Sequence, residues 1–432
     1  MFKLTAVLTG LFLFINLLSG QANSSYSTNS IPITGMQNNA FGVQTLFTNT
    51  TGTDNVAIGN NALYANTTGS FNTANGNSAL SRNISGKFNT ANGFAALKYN
   101  TTGSNNVANG TEALSYNTIG ISNAANGYQS LYLNSSGNYN TANGHQALSS
   151  NTSGNYNTAN GNQALYSNTT GNDNTANGSQ ALYSNSSGIY NTANGRTSLY
   201  SNTTGNYNTA NGLNTLYSNT TGNDNTASGL NALYYNMSGS NNTVYGSHAL
   251  FNNTAGSSNT AIGDSAGYNS LGSGNVFIGS YAGFNETGNN KMYLSNKSNK
   301  TLLYGDFSTG QVLLGRPNAT GYVFKGQRTL NVIGGIISDS VRVSLSNFWS
   351  DYVFNKDYQL LPLNKVEEYI TANKHLPDVP SATEVANNGI NIADMDAILL
   401  QKIEELTLYV IELKKENEQQ QKEIIKLKAK MR

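Results

Sequence analysis

A 17-residue repeat dominates the pattern of apolar and polar positions along the chain. Leucine recurs at every seventeenth position from Leu46 to Leu250, each time four residues after a glycine of the series Gly42 to Gly263. A second glycine series runs with the same step from Gly52 to Gly256. A fixed period of this kind is typical of a solenoid, in which each unit is stabilised by its neighbours.

The repeat unit predicts one rung of a parallel β-solenoid or β-roll. It reads G-x-x-A-L-Y-S-N-T-T-G-N-x-N-T-A-N, which is too short for a helix pair and suits two short strands and two turns. We expect 72–75 to form one strand, closed by Gly76, and Ala79-Leu80 to form the other, closed by the turn 83–86. Gly and Asn suit such corners because both tolerate positive φ. Fourteen rungs at ~4.8 Å would give a rod of roughly 65 Å.

Each rung offers little apolar surface to bury, mainly alanine, one leucine and often a tyrosine. Ordering the backbone costs ~1–2 kcal/mol per residue, so we expect several chains to associate laterally. The structural positions of the repeat are represented by Gly76, Leu80, Asn143, Gly144, Leu148 and Leu165.

The position before the first glycine changes character along the repeat. Ile58, Ile262 and Ile278 occupy it near the ends, whereas asparagine fills it from Asn75 to Asn211. Stacked asparagine amides can hydrogen-bond along a rod at the strand spacing, so this row predicts a ladder rather than a ligand site.

The pattern changes after the repeats, and the predicted divisions follow it. They are a signal peptide (1–22), a linker or cap (23–41), the β-roll (42–279), a β-rich neck (280–345), a small mixed region (346–391) and a coiled coil (392–432). The neck is predicted to contain strands at 302–306, 311–315 and 330–337. In the mixed region, Pro362 precedes a predicted helix over 363–372, and Ser381 to Glu384 is a capping-box signal.

The last segment carries a heptad pattern. Leu399, Leu406, Leu413 and Leu427 occupy position d, and Ile403, Val410, Ile424 and Met431 occupy position a. Asn417 at a and Gln420 at d add a polar layer. We predict a coiled coil that joins copies of this chain.

Composition excludes several classes of chemistry. The formal net charge of +1 gives no electrostatic reason to bind nucleic acid, and the absence of cysteine removes disulfides and thiolate sites. His145, His248 and His375 lack ligand spacing, so neither a metal nor another cofactor is expected. The recurring Asn-x-Thr/Ser triplets match a glycosylation sequon, but their repetition favours a role in turns. We therefore expect a non-enzymatic chain.

The N-terminus predicts export. Lys3 precedes an apolar run over 4–18, and Gly20-Gln21-Ala22 offers small residues for cleavage. About 15 apolar residues fall short of the ~20 that span a bilayer, so no transmembrane segment is expected in the mature chain. The expected location is extracellular or on the surface of a Gram-negative bacterium.

Two resemblances extend this prediction. The segments 55–59 (NVAIG) and 259–263 (NTAIG) resemble the head repeats of trimeric autotransporter adhesins, over roughly 42–279. That family implies a trimer of left-handed β-rolls that works in adhesion. Asparagine replaces isoleucine through the middle of this chain, and no β-barrel anchor follows the repeats.

The C-terminal region is similar to that of tail-fibre-domain proteins, which resemble the intramolecular chaperone of phage endosialidase tail spikes. The segments 349–354, 374–377 and 403–406 carry this resemblance. It implies a trimerising role without self-cleavage. The segment Ser338-Asp339 is followed by Arg342 but lacks the lysine of the cleavage motif, and Ser350-Asp351 lacks both of its basic residues.

The sequence therefore predicts a secreted or cell-surface homotrimeric rod that binds an unknown surface receptor, glycan or matrix protein. The alternatives are a self-processing tail-spike-type peptidase and an ice- or mineral-binding solenoid.

Overall fold

The computed structural model describes residues 24–26, 35–297, 300–315, 324, 327, 329–343 and 349–431. The chain divides into two compact units, 1–335 and 336–432. The expected signal peptide lies outside the described residues.

Short parallel strands, each paired with the next along the chain, build the first unit, as predicted. They are β1 (Ser24–Tyr26), β2 (Asn39–Phe41), β3 (Val56–Ile58), β4 (Thr73–Asn75), β5 (Thr90–Asn92), β6 (Val107–Asn109), β7 (Ala124–Asn126), β8 (Thr141–Asn143), β9 (Thr158–Asn160), β10 (Thr175–Asn177), β11 (Thr192–Asn194), β12 (Thr209–Asn211), β13 (Thr226–Ser228), β14 (Thr243–Tyr245), β15 (Thr260–Ile262), β16 (Val276–Ile278) and β17 (Lys291–Ser295). The mostly β, parallel β-solenoid fold is thereby confirmed.

Equivalent residues of successive rungs pair directly. Thr175 pairs with Thr192, and Asn177 with Asn194. The central residue of each strand from β2 to β16, such as Ala176, is fully buried, whereas its two neighbours face outward. This alternation follows from the period of two in a β-strand.

The second strand expected in each rung is absent from the rungs described within 35–297, and this prediction was wrong. Residues 77–82 form a turn in which Ser78 and Leu80 adopt φ of +58° and +51°. Backbone bonds still join this segment to the next rung, for example from Leu80 N to Ala96 O at 3.0 Å. Positive φ at alternate residues bends the chain sharply, which lets 17 residues close a rung.

The predicted reason for the corner residues was also only partly right. Gly76 does adopt a positive φ, of +146°, but Asn83 and Gly86 of the following turn do not. A Cβ at position 86 would lie 2.2 Å from the carbonyl oxygen of Gly103. Gly86 is therefore needed for the close stacking of rungs.

The interior of the solenoid is a column of alanine and leucine side chains. Leu80, Leu148 and Leu165 are all fully buried. The column changes at its C-terminal end, where Phe277 takes an alanine position and Gly267 and Gly283 take leucine positions. A Cβ on either glycine would lie within 2.5 Å of the Phe277 ring, so the ring fills the space of the missing leucines.

Parallel pairing continues one strand beyond Gly279, through a 16-residue step from β16 to β17. The first unit then ends with β18 (Thr301–Asp306), β19 (Gln311–Leu314) and β20 (Leu330–Val332). Pairing is antiparallel from β17 to β18 and from β18 to β19, and parallel from β19 to β20. The strand predicted over 330–337 is shorter than expected, since 333–337 lie outside β20.

The second unit is helical. A 3₁₀ helix (Ser350–Phe354) precedes α1 (Leu363–Asn373), α2 (Ala382–Asn388) and α3 (Ile392–Lys430). The predicted capping box is present, with Ser381 and Glu384 bonding each other's backbone N–H groups. Asn391 caps α3 by accepting a bond from Ala393 N at 3.1 Å.

Candidate functional site

Two rows of buried asparagines hold the rungs together from inside. The first row runs from Asn38 to Asn275, and Asn140 is typical of it. Its Nδ2 donates to Asn123 Oδ1 at 3.1 Å and to Gly154 O at 2.8 Å, while its own backbone N–H donates to the same Asn123 oxygen at 3.0 Å. The donors of this fully buried amide are therefore satisfied.

The second row lies in the turns, and Asn151 is typical of it. Its Nδ2 donates to Asn134 Oδ1 at 2.7 Å and to Gly154 O at 3.0 Å. The carbonyl of Gly154 thus accepts from both rows. Most of these asparagines belong to the sequons and all are buried, so the sequon amides of this row are enclosed in the folded rod.

The asparagine row predicted from the sequence, which we call the outer Asn row, lies on the outward side of the strands. Asn126 donates to Asn143 at 2.7 Å, and Asn143 donates to Asn160 at 2.8 Å. Such bonds run without a break from Asn92 to Asn211.

Exposed apolar residues extend the outer Asn row at both ends. Phe41 and Ile58 precede it, and Tyr245, Ile262 and Ile278 follow it, each at least 40% exposed. Apolar residues in line on neighbouring rungs form strips that a second chain could cover.

A continuous stack of aromatic rings follows the C-terminal half of the rod. Its eight members are Tyr166, Tyr183, Tyr200, Tyr217, Tyr234, Phe251, Tyr268 and Phe284, and neighbouring ring centroids lie 5.0–5.2 Å apart. Burial and the neighbouring hydroxyls raise the pKa of Tyr183. These rings contribute packing between rungs beyond that of the interior.

A second row of side chains, several of them aromatic, lies at the corner before each strand. We call it the corner row. Its members from β2 to β15 are Gln37, Asp54, Phe71, Phe88, Asn105, Ser122, Tyr139, Tyr156, Asp173, Tyr190, Tyr207, Asp224, Asn241 and Ser258, all with φ between +55° and +60°. The rings stack in pairs, Phe71 on Phe88, Tyr139 on Tyr156 and Tyr190 on Tyr207. They are about half exposed, more than the rings of the continuous stack.

The predicted heptad seam of α3 lies open in the single chain. Leu399, Ile403, Leu406, Val410, Leu413, Ile424 and Leu427 are all between 42% and 61% exposed, and Asn417 is exposed within the same seam. The opposite face of α3 packs on the 3₁₀ helix, where Ser350 Oγ donates to Ala397 O at 2.5 Å.

The N-terminal half of this seam forms one wall of an apolar pocket of about 640 Å³. Leu361, Val366 and Leu376 form the other walls. Lys402 pairs with Asp378 and Glu405 at 3.0 Å each. Burial and a hydrogen bond to Glu405 raise the pKa of Tyr358 to about 12, so this tyrosine stays neutral.

The three histidines lie apart in different surroundings. His145 stacks on Tyr128, His248 bonds Asn231 and Ser247, and His375 packs edge-on against Tyr369. Within the part of the chain that the structure describes, no cluster of histidine and carboxylate side chains is placed to hold a metal ion. No described helix is long and apolar enough to cross a membrane.

Comparison with known proteins gave no match to a family, to a curated protein or to a solved structure. The class of this chain therefore follows from its geometry alone. It is a β-solenoid repeat protein with a separate C-terminal helical unit.

The sequence pointed to the outer Asn row, but the two buried rows were not recognised as ladders. The sequence did contain a signal for them, because asparagine fills every position of the first buried row from Asn38 to Asn275. The outer Asn row is less constant, since phenylalanine, isoleucine, serine and tyrosine replace asparagine towards its ends.

Proposed function

We propose that this chain is exported and works as a non-enzymatic structural rod, an adhesin-like or tail-fibre-like surface fibre that assembles as a homotrimer. The observation that carries the proposal is the unbroken series of parallel rungs from β1 to β17. The hydrogen-bonding groups of the backbone and of the asparagine rows bond one rung to the next. What the rod offers outward is a set of long, regular rows of side chains.

Two exposed apolar surfaces support self-association. The open seam of α3 would be covered by α3 of the other copies, and the pocket of about 640 Å³ beside it would be filled by their side chains. The apolar ends of the outer Asn row offer contacts along the rods themselves. Burial of a leucine contributes ~1.5–3 kcal/mol, so covering these residues would favour assembly.

The positions of the candidate nucleophiles support a non-enzymatic role. Ser350 is buried and its hydroxyl donates to a backbone carbonyl. Ser338 lies on the surface, where its hydroxyl donates to Ser340 O at 2.7 Å. Neither hydroxyl has a lysine or histidine among its hydrogen-bond partners in the described residues, as self-cleavage by a serine–lysine pair would require.

The adhesive role is tested by binding the purified full chain to arrays of glycans and matrix proteins. A matched variant lacks 77–127, which removes three whole rungs and keeps the period. Binding spread along the rod should weaken in the shortened variant, while its melting temperature stays close to that of the full chain. A chain that binds none of the arrayed molecules contradicts the proposal.

A second candidate function is the ordering of water at an ice or mineral surface. Threonine begins every strand from β8 to β15, and these threonines pair in register along one outward side. A thermal-hysteresis assay tests this function directly, and a freezing point equal to the melting point excludes ice binding.

A further inference from the structure

We propose that Tyr156, Asp173 and Tyr190 form a slot that binds a cationic side chain, an arginine or a lysine, of a protein partner. This inference extends the proposed adhesive role. It rests on that role only in taking the partner to be a protein. The three residues occupy the corner row on three successive rungs.

The tyrosines of the corner row are not explained by the fold. Tyr156 and Tyr190 have φ of +57° and +56°, a region that bulky residues seldom adopt. Their rings are 57% and 50% exposed, so burial does little to offset the strain. Asn105 and Asn241 fill the same corner elsewhere with a residue that tolerates it. Strained residues that the fold does not require are candidates for a functional role.

The geometry leaves two ring faces opposed across Asp173. Tyr156 stacks on Tyr139 with an interplanar angle of 1°, and Tyr190 stacks on Tyr207 at 9°. Each pair therefore covers one face of its inner ring and leaves the other face directed at the rung of Asp173. The carboxylate side chain is too short to fill the space between the rings.

The width of the slot suits a flat cation. Neighbouring rungs place stacked rings 5.0–5.2 Å apart, so two rungs separate Tyr156 from Tyr190 by about 10 Å between centroids. A guanidinium group midway would lie about 5 Å from each centroid, within the ~6 Å range of cation–π attraction. The Asp173 carboxylate at the base would supply a charge-assisted hydrogen bond.

The charge of Asp173 is not neutralised within the rod. No ion pair involving this carboxylate occurs among the described residues, and the residue is exposed. The other acidic members of the corner row are less complete sites. Asp224 has an aromatic neighbour in that row on one side only, Tyr207, and Asp54 likewise has only Phe71.

The test uses the full chain and a fluorescein-labelled peptide, Ser-Gly-Arg-Gly-Ser, followed by fluorescence anisotropy at low salt. The citrulline version of the peptide keeps the shape of arginine and removes its charge. A lysine version distinguishes a requirement for guanidinium from a requirement for any cation. The arginine peptide should bind more tightly than the citrulline peptide, and added salt should reduce the difference.

The variants Tyr156→Asn, Asp173→Asn and Tyr190→Asn should each weaken arginine-peptide binding about three- to fivefold. Each introduces a residue that this corner already accepts, so the rod should still fold, which its melting temperature checks. Asp54→Asn is the matched control and should leave binding unchanged.

Three results would overturn the proposal. Equal affinity for the arginine and citrulline peptides would exclude a cation site. An equal loss in Asp54→Asn would show a general charge effect. A change of sedimenting mass in Tyr156→Asn would show that the corner row is an interface between copies of the chain. Because the peptide reports on the slot alone, a negative array experiment and a negative peptide experiment remain distinguishable.

Discussion

Asparagine has the right length and bonding capacity for the inside of this rod. Its amide donates two hydrogen bonds and accepts others, and Asn140 uses both donors within one rung spacing. A typical hydrogen bond contributes about 0.5–1.5 kcal/mol, whereas a buried group left without a partner costs about 1–3 kcal/mol. The buried rows therefore make any other residue unfavourable at these positions.

The substitutions Asn140→Asp and Asn143→Asp compare a buried row with the outer Asn row. Each replaces a donating amide with a carboxylate, but Asn140 is fully buried and Asn143 is not. We expect Asn140→Asp to destabilise the neighbouring rungs by about 3 kcal/mol or more, and Asn143→Asp by about 1 kcal/mol. Hydrogen exchange of the backbone amides in the rungs around residue 140 measures both destabilisations.

The pH dependence of these variants has a definite sign. A carboxylate facing amide oxygens holds its proton more tightly in the folded rod, so its folded pKa exceeds the unfolded value of ~3.9. The destabilisation is then complete above the folded pKa and decreases as pH falls towards the unfolded value. Exchange rates that do not change with pH would contradict burial of the new carboxylate.

The glycine of each turn is needed for space. A Cβ at position 154 would lie 2.4 Å from Gly171 O and 2.5 Å from Asn151 Oδ1. We expect Gly154→Ala to cost about 1–3 kcal/mol, because backbone and a bonded amide cannot both move away. Gly335→Ala is the control, since nothing lies within 4 Å of its added Cβ. Equal melting curves for the two variants would refute the steric argument.

At the scale of the element, the 17-residue period indicated the length of a rung but not the backbone conformation within it. The sequence correctly placed the strand around Thr73 to Asn75, since alternating residues identify a pleated segment. It also placed the capped helix α2 correctly, because capping is a local signal. It missed the turn at 77–82, because leucine at positive φ contradicts local preference and is held there by bonds to the next rung.

The end of the solenoid carries a salt bridge that should respond to acid. Lys291 Nζ lies 2.6 Å from Asp306 Oδ2, joining β17 to β18, and this bond lowers the pKa of Asp306 to about 2. The carboxyl would titrate near 3.8 when unfolded, so its stabilisation is present above about pH 4 and is lost as pH falls towards 2.

We expect the hairpin of β17 and β18 to lose about 1 kcal/mol over that acid range, allowing for solvent screening. Hydrogen exchange of this hairpin between pH 4.5 and 2.5, corrected for intrinsic rates, measures the effect. The variant Asp306→Asn should remove the pH dependence. A hairpin whose protection stays constant over this range in the unmodified chain would show that the ion pair contributes little.

At the scale of the whole molecule, two arguments about assembly disagree. Isoleucine or valine at a with leucine at d, together with Asn417 at a, favours parallel dimers. The resemblances of the repeats and of the C-terminus imply a trimer. We favour the trimer because the helical seam is short and interrupted by a polar layer. Ile398, Leu400 and Ile411 also widen its apolar face.

Deleting 392–432 separates the role of α3 in folding from its role in stability. The helix should register the chains and raise their local concentration while the slow, non-local rungs form. We therefore expect the deletion to reduce the yield of folded rod strongly and to change the melting temperature of assembled rod little. Analytical ultracentrifugation of the intact chain should give the mass of a trimer, and a monomer or dimer mass would exclude this assembly.

The sequence was most informative about the rod and least informative about its surface. Few folds are compatible with a strict 17-residue period. The parallel solenoid was therefore predictable from Leu46 to Leu250. The slot around Asp173 was not, because it depends on which residues fall on adjacent rungs. Residues 17 apart in the sequence become neighbours only once the rung length and register are fixed.

The sharing of each turn carbonyl between two buried rows has a consequence for how the gene can change. Deleting or duplicating one whole repeat joins a rung to another with the same bonding groups, so every amide finds a new partner. A shift of one residue inside a repeat would instead misalign both rows at once. Recombination between repeats can therefore alter the length of the rod in steps of one rung without misaligning either buried row.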